Sequence, residues 1–178
     1  MNLQTLTLIL KTKDPVTESP EKLRGFIGNR FKDYPVLHQH AENGKNSYQY
    51  PKVQYKIIEK SQEFGCSDSF MQYKFIVPWI ALNEINYDSY IKFDPKNKVN
   101  LLHQILAGNL LSISKSLGYV VLNQIKVRTK LSPIKVYSKG IPLIGFKGDF
   151  QINFMIPEYL GIGKSVSRGF GVVRRCNL

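Results

Sequence analysis

Residues 125–154 read IKVRTKLSPIKVYSKGIPLIGFKGDFQINF, and this stretch has the clearest periodicity in the chain. Its first half alternates apolar and basic residues, and its second half alternates apolar residues with polar ones or glycine. A period of two puts neighbouring side chains on opposite faces of a strand, and residues 140–142 between the halves are typical of a turn. The stretch therefore predicts a β-hairpin with one buried face and one basic face. The cations on the first strand are Lys126, Arg128 and Lys130.

A long helix is predicted immediately before this hairpin. Leucine and isoleucine residues recur at helical spacing from Leu102 to Leu117, and Gly118 stands where a helix commonly ends. A short helix is predicted over residues 82–90, and alternation over residues 73–77 predicts a strand. Residues 60–70 leave no room for a helix between the strands on either side.

The N-terminal third predicts one strand and one helix. Alternation predicts a strand over residues 3–11, and a serine and proline pair begins an amphipathic helix that extends to about residue 32. Gly25 and Gly28 lie inside this helix, where each costs about 1 kcal/mol relative to alanine. They suggest that another backbone approaches closely, from a neighbouring strand or from a ligand.

The order of strand, helix and further strands occurs twice, before and after about residue 80. This order predicts an α+β fold made of two tandem units, residues 1–78 and residues 79–178.

The composition limits the classes of function. The chain has 178 residues, and 25 Lys plus Arg against 13 Asp plus Glu give 25 − 13 = +12. Its 43% hydrophobic content is that of a folded domain rather than a disordered tail.

Three further classes of protein do not fit the sequence. No apolar run reaches the roughly 18 residues of a membrane span, and residues 1–10 lack the basic leader of a secretory signal. Two cysteines are too few for a disulfide framework. We expect a cytoplasmic protein, with no membrane association and a nucleic acid as its partner.

The segment GIGKSVSRGFG, residues 161–171, surrounds a basic centre with glycines. Its Gly-Lys-Ser sequence imitates the end of a phosphate-binding P-loop, but the first glycine of that motif would fall on Glu158. An NTPase is therefore excluded, and what remains is a loop whose amides and cations can approach a phosphate backbone. The predicted nucleic-acid-binding residues of this region are Gly161, Gly163, Lys164, Ser165, Arg168, Gly169 and Arg174.

With Ile144-Gly145-Phe146 and Ile156-Pro157 before it, this glycine-rich loop resembles that of the CRISPR-associated endoribonucleases that cut precursor transcripts within repeats. These enzymes are the sixth Cas family, within the RAMP superfamily. Four further stretches match in order, and the combination is similar to the subgroup found with type I-B systems. They are residues 23–29, 38–56, 79–83 and 106–112.

The resemblance implies two ferredoxin-like (RRM-like) domains, with the His/Tyr loop in the first and the glycine-rich loop in the second. The family usually has a further strand and helix after the stretch matched by residues 54–56, whereas residues 61–69 are only a short connection here. The first domain is therefore expected to be reduced. The resemblance also implies repeat RNA as the substrate, and metal-independent cleavage without a cofactor that leaves a 2′,3′-cyclic phosphate and a 5′-hydroxyl. Other Cas proteins of an effector complex and a second copy of the chain are further partners to test.

Residues 38–52 contain the side chains that such cleavage needs. Attack by a ribose 2′-hydroxyl requires a base, an acid and positive charge near the phosphorane. His38 and His40 titrate near neutrality and can serve as base or acid. Tyr48, or else Tyr50, can orient the nucleophile or donate a proton, and Lys45 and Lys52 are the cation candidates. The resemblance puts the catalytic histidine on His38 or His40 and the catalytic tyrosine on Tyr48, without choosing between the histidines.

Three alternatives remain open for this chain. A His-x-His pair also occurs in solvated loops and in transition-metal sites, although Glu42 is the only acidic neighbour and makes a metal site a poor fit. The reduced first domain also allows an inactive relative that holds CRISPR RNA without cutting it. An unrelated basic protein that binds DNA or an acidic partner is the third.

Overall fold

The structure is a computed structural model, which describes residues 2–3, 20–31 and 62–176. The predicted strand over residues 3–11 and the loop with His38 and His40 lie almost wholly outside these ranges.

The described residues form a mixed fold of helices and antiparallel sheet, which confirms the predicted α+β class. A two-stranded sheet pairs β1 with β2, and a four-stranded sheet has the order β4-β5-β3-β6. The elements are β1 (Asn2–Leu3), α1 (Pro20–Arg30), β2 (Gln62–Glu63), β3 (Gly65–Trp79), α2 (Glu84–Lys92), α3 (Pro95–Ser116), β4 (Val127–Ser138), β5 (Ile141–Met155), a 3₁₀ helix (Val166–Arg168) and β6 (Val173–Arg175).

The predicted hairpin is confirmed as β4 and β5. The two strands pair in continuous register from Val127 opposite Ile152 to Ser138 opposite Ile141. Lys139 and Gly140 connect them with φ angles of 52° and 76°. Two successive left-handed residues match the right-handed twist of the flanking strands, so this turn holds the long hairpin in register.

The predicted long helix is confirmed as α3. Asp94 caps its first turn by accepting a hydrogen bond from the backbone N–H of Asn97, and Pro95 occupies the first helical position. The helix ends just before Gly118, as its sequence predicts. Its apolar stripe is buried at Leu102, Leu106, Leu110 and Ile113.

The core lies between the helices and one face of the sheet, and aromatic rings make up much of it. The ring of Phe75 stacks at 5.3 Å on that of Trp79 and lies 4.9 Å from that of Phe150. The phenol of Tyr73 is buried too, and its hydroxyl accepts a hydrogen bond from the backbone N–H of Ile156. The fully buried aromatic residues are Phe64, Tyr73, Phe75, Trp79, Phe146, Phe150 and Phe154.

The pairing of β3 bears on the predicted division into two units. The sequence pattern assigns residues 65–78 to the first unit, and in the structure β3 pairs with β5 on one side and with β6 on the other. The strand thus lies inside the C-terminal sheet. Its partners are distant in sequence, so the local pattern does not reveal them.

The exposed side of α1 differs from the sequence expectation. Phe26 is 69% exposed, and among the described residues no atom lies within 4 Å of a Cβ added at Gly25. The structure therefore shows no close backbone approach at Gly25, although α1 does contact the 3₁₀ helix.

None of the helices in the described ranges is both long and apolar enough to span a membrane.

A histidine joins α3 to β4. The Nε2 atom of His103 accepts a hydrogen bond from the backbone N–H of Thr129 at 3.1 Å, and it lies 3.0 Å from the Oγ1 atom of the same residue. A backbone N–H can only donate, so Nε2 carries no proton here. Burial lowers the pKa of His103 below its usual value of about 6.5.

We expect this link to weaken in acid. The pKa of His103 is lower in the folded than in the unfolded state, so its contribution to stability is complete above pH 6.5 and is lost as the pH falls toward the folded-state value. The free energy of unfolding should decline less over this range in His103→Gln, which cannot be protonated. Chemical denaturation at pH 7.5 and pH 5 tests this, and an equal decline in both proteins would contradict it.

Candidate nucleic-acid interface

Residues 161–171, the glycine-rich segment, fold back on themselves beside the end of β3. The N–H of Ile162 donates to the carbonyl of Gly171 at 2.9 Å and closes the segment. The N–H of Lys164 donates to the carbonyl of Ile80 at 3.0 Å, and the N–H of Gly171 donates to the carbonyl of Pro78 at 2.8 Å. These bonds fasten the segment to the chain that leaves the central sheet.

Gly163 cannot be replaced by a larger residue without a clash. Its φ angle is +90°, and an added Cβ would lie 2.6 Å from Cδ1 of Trp79 and 2.8 Å from the carbonyl oxygen of Ile80. The glycine therefore lets the segment lie directly against the indole. Gly163 therefore has a packing role in the folded protein. That it also contacts a phosphate of the nucleic acid stays a prediction.

The indole of Trp79 connects the segment to the core. The side chain is fully buried, and its Nε1 donates a hydrogen bond of 3.2 Å to Oδ1 of Asn109 in α3. Its ring plane is nearly parallel to that of Phe75, with an interplanar angle of 2°. The glycine-rich segment is thus positioned by the buried aromatic core.

Arg168 fastens the segment to the β-hairpin. One of its terminal guanidinium nitrogens donates a hydrogen bond of 3.1 Å to Oγ of Ser138, a buried hydroxyl at the end of β4. Arg168 is half-buried, whereas Lys164 is exposed. Arg168 therefore uses one of its hydrogen-bond donors within the protein. Lys164 is the more accessible cation for a ligand.

The four-stranded sheet brings cations from four strands to one face. Lys130 in β4 stands opposite Asp149 in β5, Asp149 stands opposite Lys74 in β3, and Lys74 stands opposite Arg174 in β6. Residues paired in this way share one face of a sheet, and it is the face opposite the buried Tyr73 and Phe75. We call the exposed cations of this surface the basic face. They are Lys74, Arg128, Lys130, Lys147 and Arg174.

The sequence patterns predict three of these cations and miss Lys74 and Lys147. The alternation in β3 does indicate that Lys74 is exposed, because it stands between two buried aromatic residues. The local pattern does not reveal that β3 lies between β5 and β6, and this position is what brings Lys74 beside the other cations. Lys126, also predicted, is exposed just before β4, and its backbone N–H donates to Oδ1 of Asn153 at 2.6 Å.

Arg128 stands over an aromatic ring. Its guanidinium carbon lies 4.6 Å from the ring centroid of Phe70, which is within the range of a cation–π contact. This contact limits the directions in which the guanidinium can point. A restrained guanidinium loses less conformational entropy when it binds a phosphate than a freely moving lysine does.

Four predicted site residues, His38, His40, Tyr48 and Lys52, lie outside the described residues. Their roles stay predictions. Within the described ranges, no group of three or more His, Cys, Asp and Glu side chains is arranged to hold a metal ion.

Comparison with known proteins gives matches over residues 1–176. The sequence profile of the Cas6b N-terminal domain matches residues 1–72, and that of the Cas6b C-terminal domain matches residues 65–176. The second profile begins at the first residue of β3.

Similar proteins include two solved structures and one sequence relative. A crystal structure of Cas6b superposes with a TM-score of 0.79 at 34% identity, covering 88% of this chain and 91% of that one. A crystal structure of the CRISPR RNA processing endoribonuclease Cas6b gives a TM-score of 0.72 at 32% identity, covering 95% and 94%. An uncharacterised protein of Methanocaldococcus jannaschii is 50% identical over 117 residues, which are 65% of this chain and 80% of the relative.

The contact between Gly163 and Trp79 gives a mutational prediction. Gly163→Ala should lower the free energy of unfolding by about 1–3 kcal/mol, because the residue holds a left-handed conformation and its Cβ would strike the indole. Gly108→Ala is the matched control, since Gly108 is exposed in α3 and no atom of the described residues lies within 4 Å of its added Cβ. That control should be neutral or stabilising by up to about 1 kcal/mol. Chemical denaturation of both variants measures the difference, and equal stabilities would contradict the packing role.

Proposed function

The chain belongs to the Cas6b family, and from that premise we propose that it is an endoribonuclease that binds CRISPR repeat RNA and cleaves precursor transcripts. The observation that carries the proposal is the basic face in a chain that both Cas6b domain profiles match. Five exposed cations on one sheet face suit a polyanion.

Binding is assigned to the basic face and to the cations around the glycine-rich segment. Phosphate contacts fix the position of RNA on a protein without reading its sequence. Lys74 and Lys147 are added to the cations predicted from the sequence, because the strand register puts them beside those cations. The predicted set is Lys126, Arg128, Lys130, Lys164, Arg168 and Arg174, with Gly161, Gly163, Ser165 and Gly169 shaping the segment.

Cleavage is assigned to residues 38–52, acting by attack of the ribose 2′-hydroxyl on the adjacent phosphate. His38 or His40 takes the proton of the nucleophile or supplies one to the departing 5′-oxygen, and Tyr48 orients the nucleophile or donates a proton. Lys52 balances the charge that develops on the phosphorane. The products are a 2′,3′-cyclic phosphate and a 5′-hydroxyl, and no metal or other cofactor takes part.

The position of the third histidine supports this assignment. Nε2 of His103 is occupied by the backbone N–H of Thr129, and the ring lies between α3 and β4. A base in this position would have to break that bond before it could accept another proton. His38 and His40 are the other two histidines of the chain.

The chain is proposed to fold as two ferredoxin-like domains, with the reduced first domain carrying the His/Tyr loop. Because β3 pairs with β5 and β6, we draw the division just before Gly65 rather than after residue 78. The cytoplasm of a prokaryote is the proposed location.

Cleavage of labelled repeat RNA from the host array in EDTA tests the catalytic proposal. Cutting should survive chelation, and it should stop when a 2′-deoxy sugar replaces the ribose at the cut site. His38→Ala or His40→Ala should lower the rate by about 10²–10⁴-fold, which is the usual contribution of a general acid or base. Tyr48→Ala is assayed beside them.

Each variant's affinity for the uncleaved 2′-deoxy RNA is the control, since a catalytic residue should change the rate and leave binding intact. Tight binding with no cutting by any protein would indicate an RNA-holding relative and would refute the nuclease.

The salt dependence of binding tests the basic face. Lys74→Ala should weaken repeat-RNA binding and should reduce the slope of log K against log salt by about 0.7, the value of one lost phosphate contact on a single strand. Lys96→Ala is the control, because Lys96 is also an exposed lysine and lies at the start of α3. Equal slopes for both variants and the wild type would remove Lys74 from the interface.

A further inference from the structure

A groove separates α2 from the far end of the β-hairpin. Its volume is about 810 Å³, within the range of small-molecule binding sites. One wall comes from the segment after β3 and the start of α2, and the other comes from β4 and β5 near their turn. The residues that matter below are Ile80, Tyr87, Lys135, Ile144 and Lys164.

The walls of this groove are mainly apolar, with one aromatic ring, two lysines and one carboxylate, that of Glu84, among the lining side chains. Tyr87 in α2 is 44% exposed, so its ring is accessible on one wall. Lys135 lies on the hairpin wall, and Lys164 is at the end nearest the glycine-rich segment. An accessible ring in a groove that cations also line suits single-stranded nucleic acid, because bases stack on the ring and phosphates pair with the cations.

Lys164 makes the groove continuous with the candidate nucleic-acid interface. The residue belongs to the glycine-rich segment, and its backbone N–H donates to the carbonyl of Ile80, which also lines the groove. A strand whose phosphate contacts Lys164 therefore reaches the groove without crossing other parts of the protein.

We propose that this groove receives an unpaired base of the bound RNA, stacked on Tyr87, with the flanking phosphates held by Lys135 and Lys164. The inference rests on the proposed function and extends it from backbone contacts to a site for a base. A base within a duplex has both faces covered by its neighbours, whereas an unpaired base can present a face to the ring. The groove therefore selects RNA with an unpaired nucleotide at a fixed distance from the phosphates on the glycine-rich segment.

A double-mutant cycle between protein and RNA tests the proposal. The probe is the labelled repeat RNA with a 2′-deoxy sugar at the cut site, made as a series in which one nucleotide at a time is abasic. An abasic nucleotide keeps its phosphate and loses its stacking surface. Fluorescence anisotropy gives the Kd of each RNA for the wild type and for Tyr87→Ala.

One or two positions should couple to Tyr87. There the abasic RNA should bind the wild type about ten-fold more weakly than the intact RNA does, while Tyr87→Ala should bind both RNAs equally. Tyr87→Phe should behave as the wild type, because stacking needs the ring and not the hydroxyl. Lys135→Ala should weaken binding and lower the salt slope by about 0.7 without abolishing the coupling.

Phe93→Ala is the matched control. Phe93 follows the same helix, is 40% exposed and lies outside the groove, so its loss should change no Kd more than about two-fold. Thermal unfolding of each variant shows whether a weakened Kd reflects a weakened fold, and the response of Tyr87→Phe keeps the test decisive if Tyr87→Ala is unstable.

Two results would overturn the inference, and they are distinguishable. If the wild type binds repeat RNA tightly and no position couples to Tyr87, the groove has another occupant, such as a protein partner, and the base site is refuted. If the wild type shows no preference for repeat RNA over an unrelated RNA of equal length, the proposed function fails and the groove assignment fails with it.

Discussion

The contact between Trp79 and Gly163 is the constraint on which the rest of the structure depends. The indole stacks on Phe75 in the core, donates a hydrogen bond to Asn109 in α3, and leaves room on its other side only for a residue without a side chain. Sheet, helix and glycine-rich segment thus meet at one side chain. The segment lacks a long regular element of its own, and its position follows from this contact and from the backbone bonds to Pro78 and Ile80.

The two faces of the four-stranded sheet differ, one being apolar and the other basic. One face holds the aromatic core under α3, and the other carries the basic face, so each of β3, β4 and β5 contributes alternately to stability and to charge. The same backbone hydrogen bonds that align Tyr73 with Phe150 also align Lys74 with Asp149. A shift of one residue in register would bury cations and expose rings at once, so the charge pattern is as firmly fixed as the core.

Local patterns predicted the parts of this structure that depend on local chemistry. The hairpin and α3 followed from periodicity and from their turn and cap residues, and the family resemblance is confirmed by profiles that match both halves of the chain.

The neighbours of β3 could not be predicted in this way, because β5 and β6 lie about 70–110 residues further along the chain. For the same reason the local pattern does not predict that Lys74 belongs to the basic face. It also does not predict the hydrogen bond between Arg168 and Ser138, which joins residues 30 positions apart. The apolar pattern of α1 did not distinguish a buried Phe26 from the exposed one observed.

The position of β4 has one more consequence. It is an edge strand of the described four-stranded sheet, and its outer backbone groups have no partner strand within the described residues. Such an edge can recruit a strand from another molecule and start aggregation. Pro133 in the middle of β4 removes one donor, and Lys130 and Lys135 on either side of it repel a second copy of the same edge. The residues that make this strand suitable for a polyanion therefore also oppose edge-to-edge pairing of two molecules of this protein.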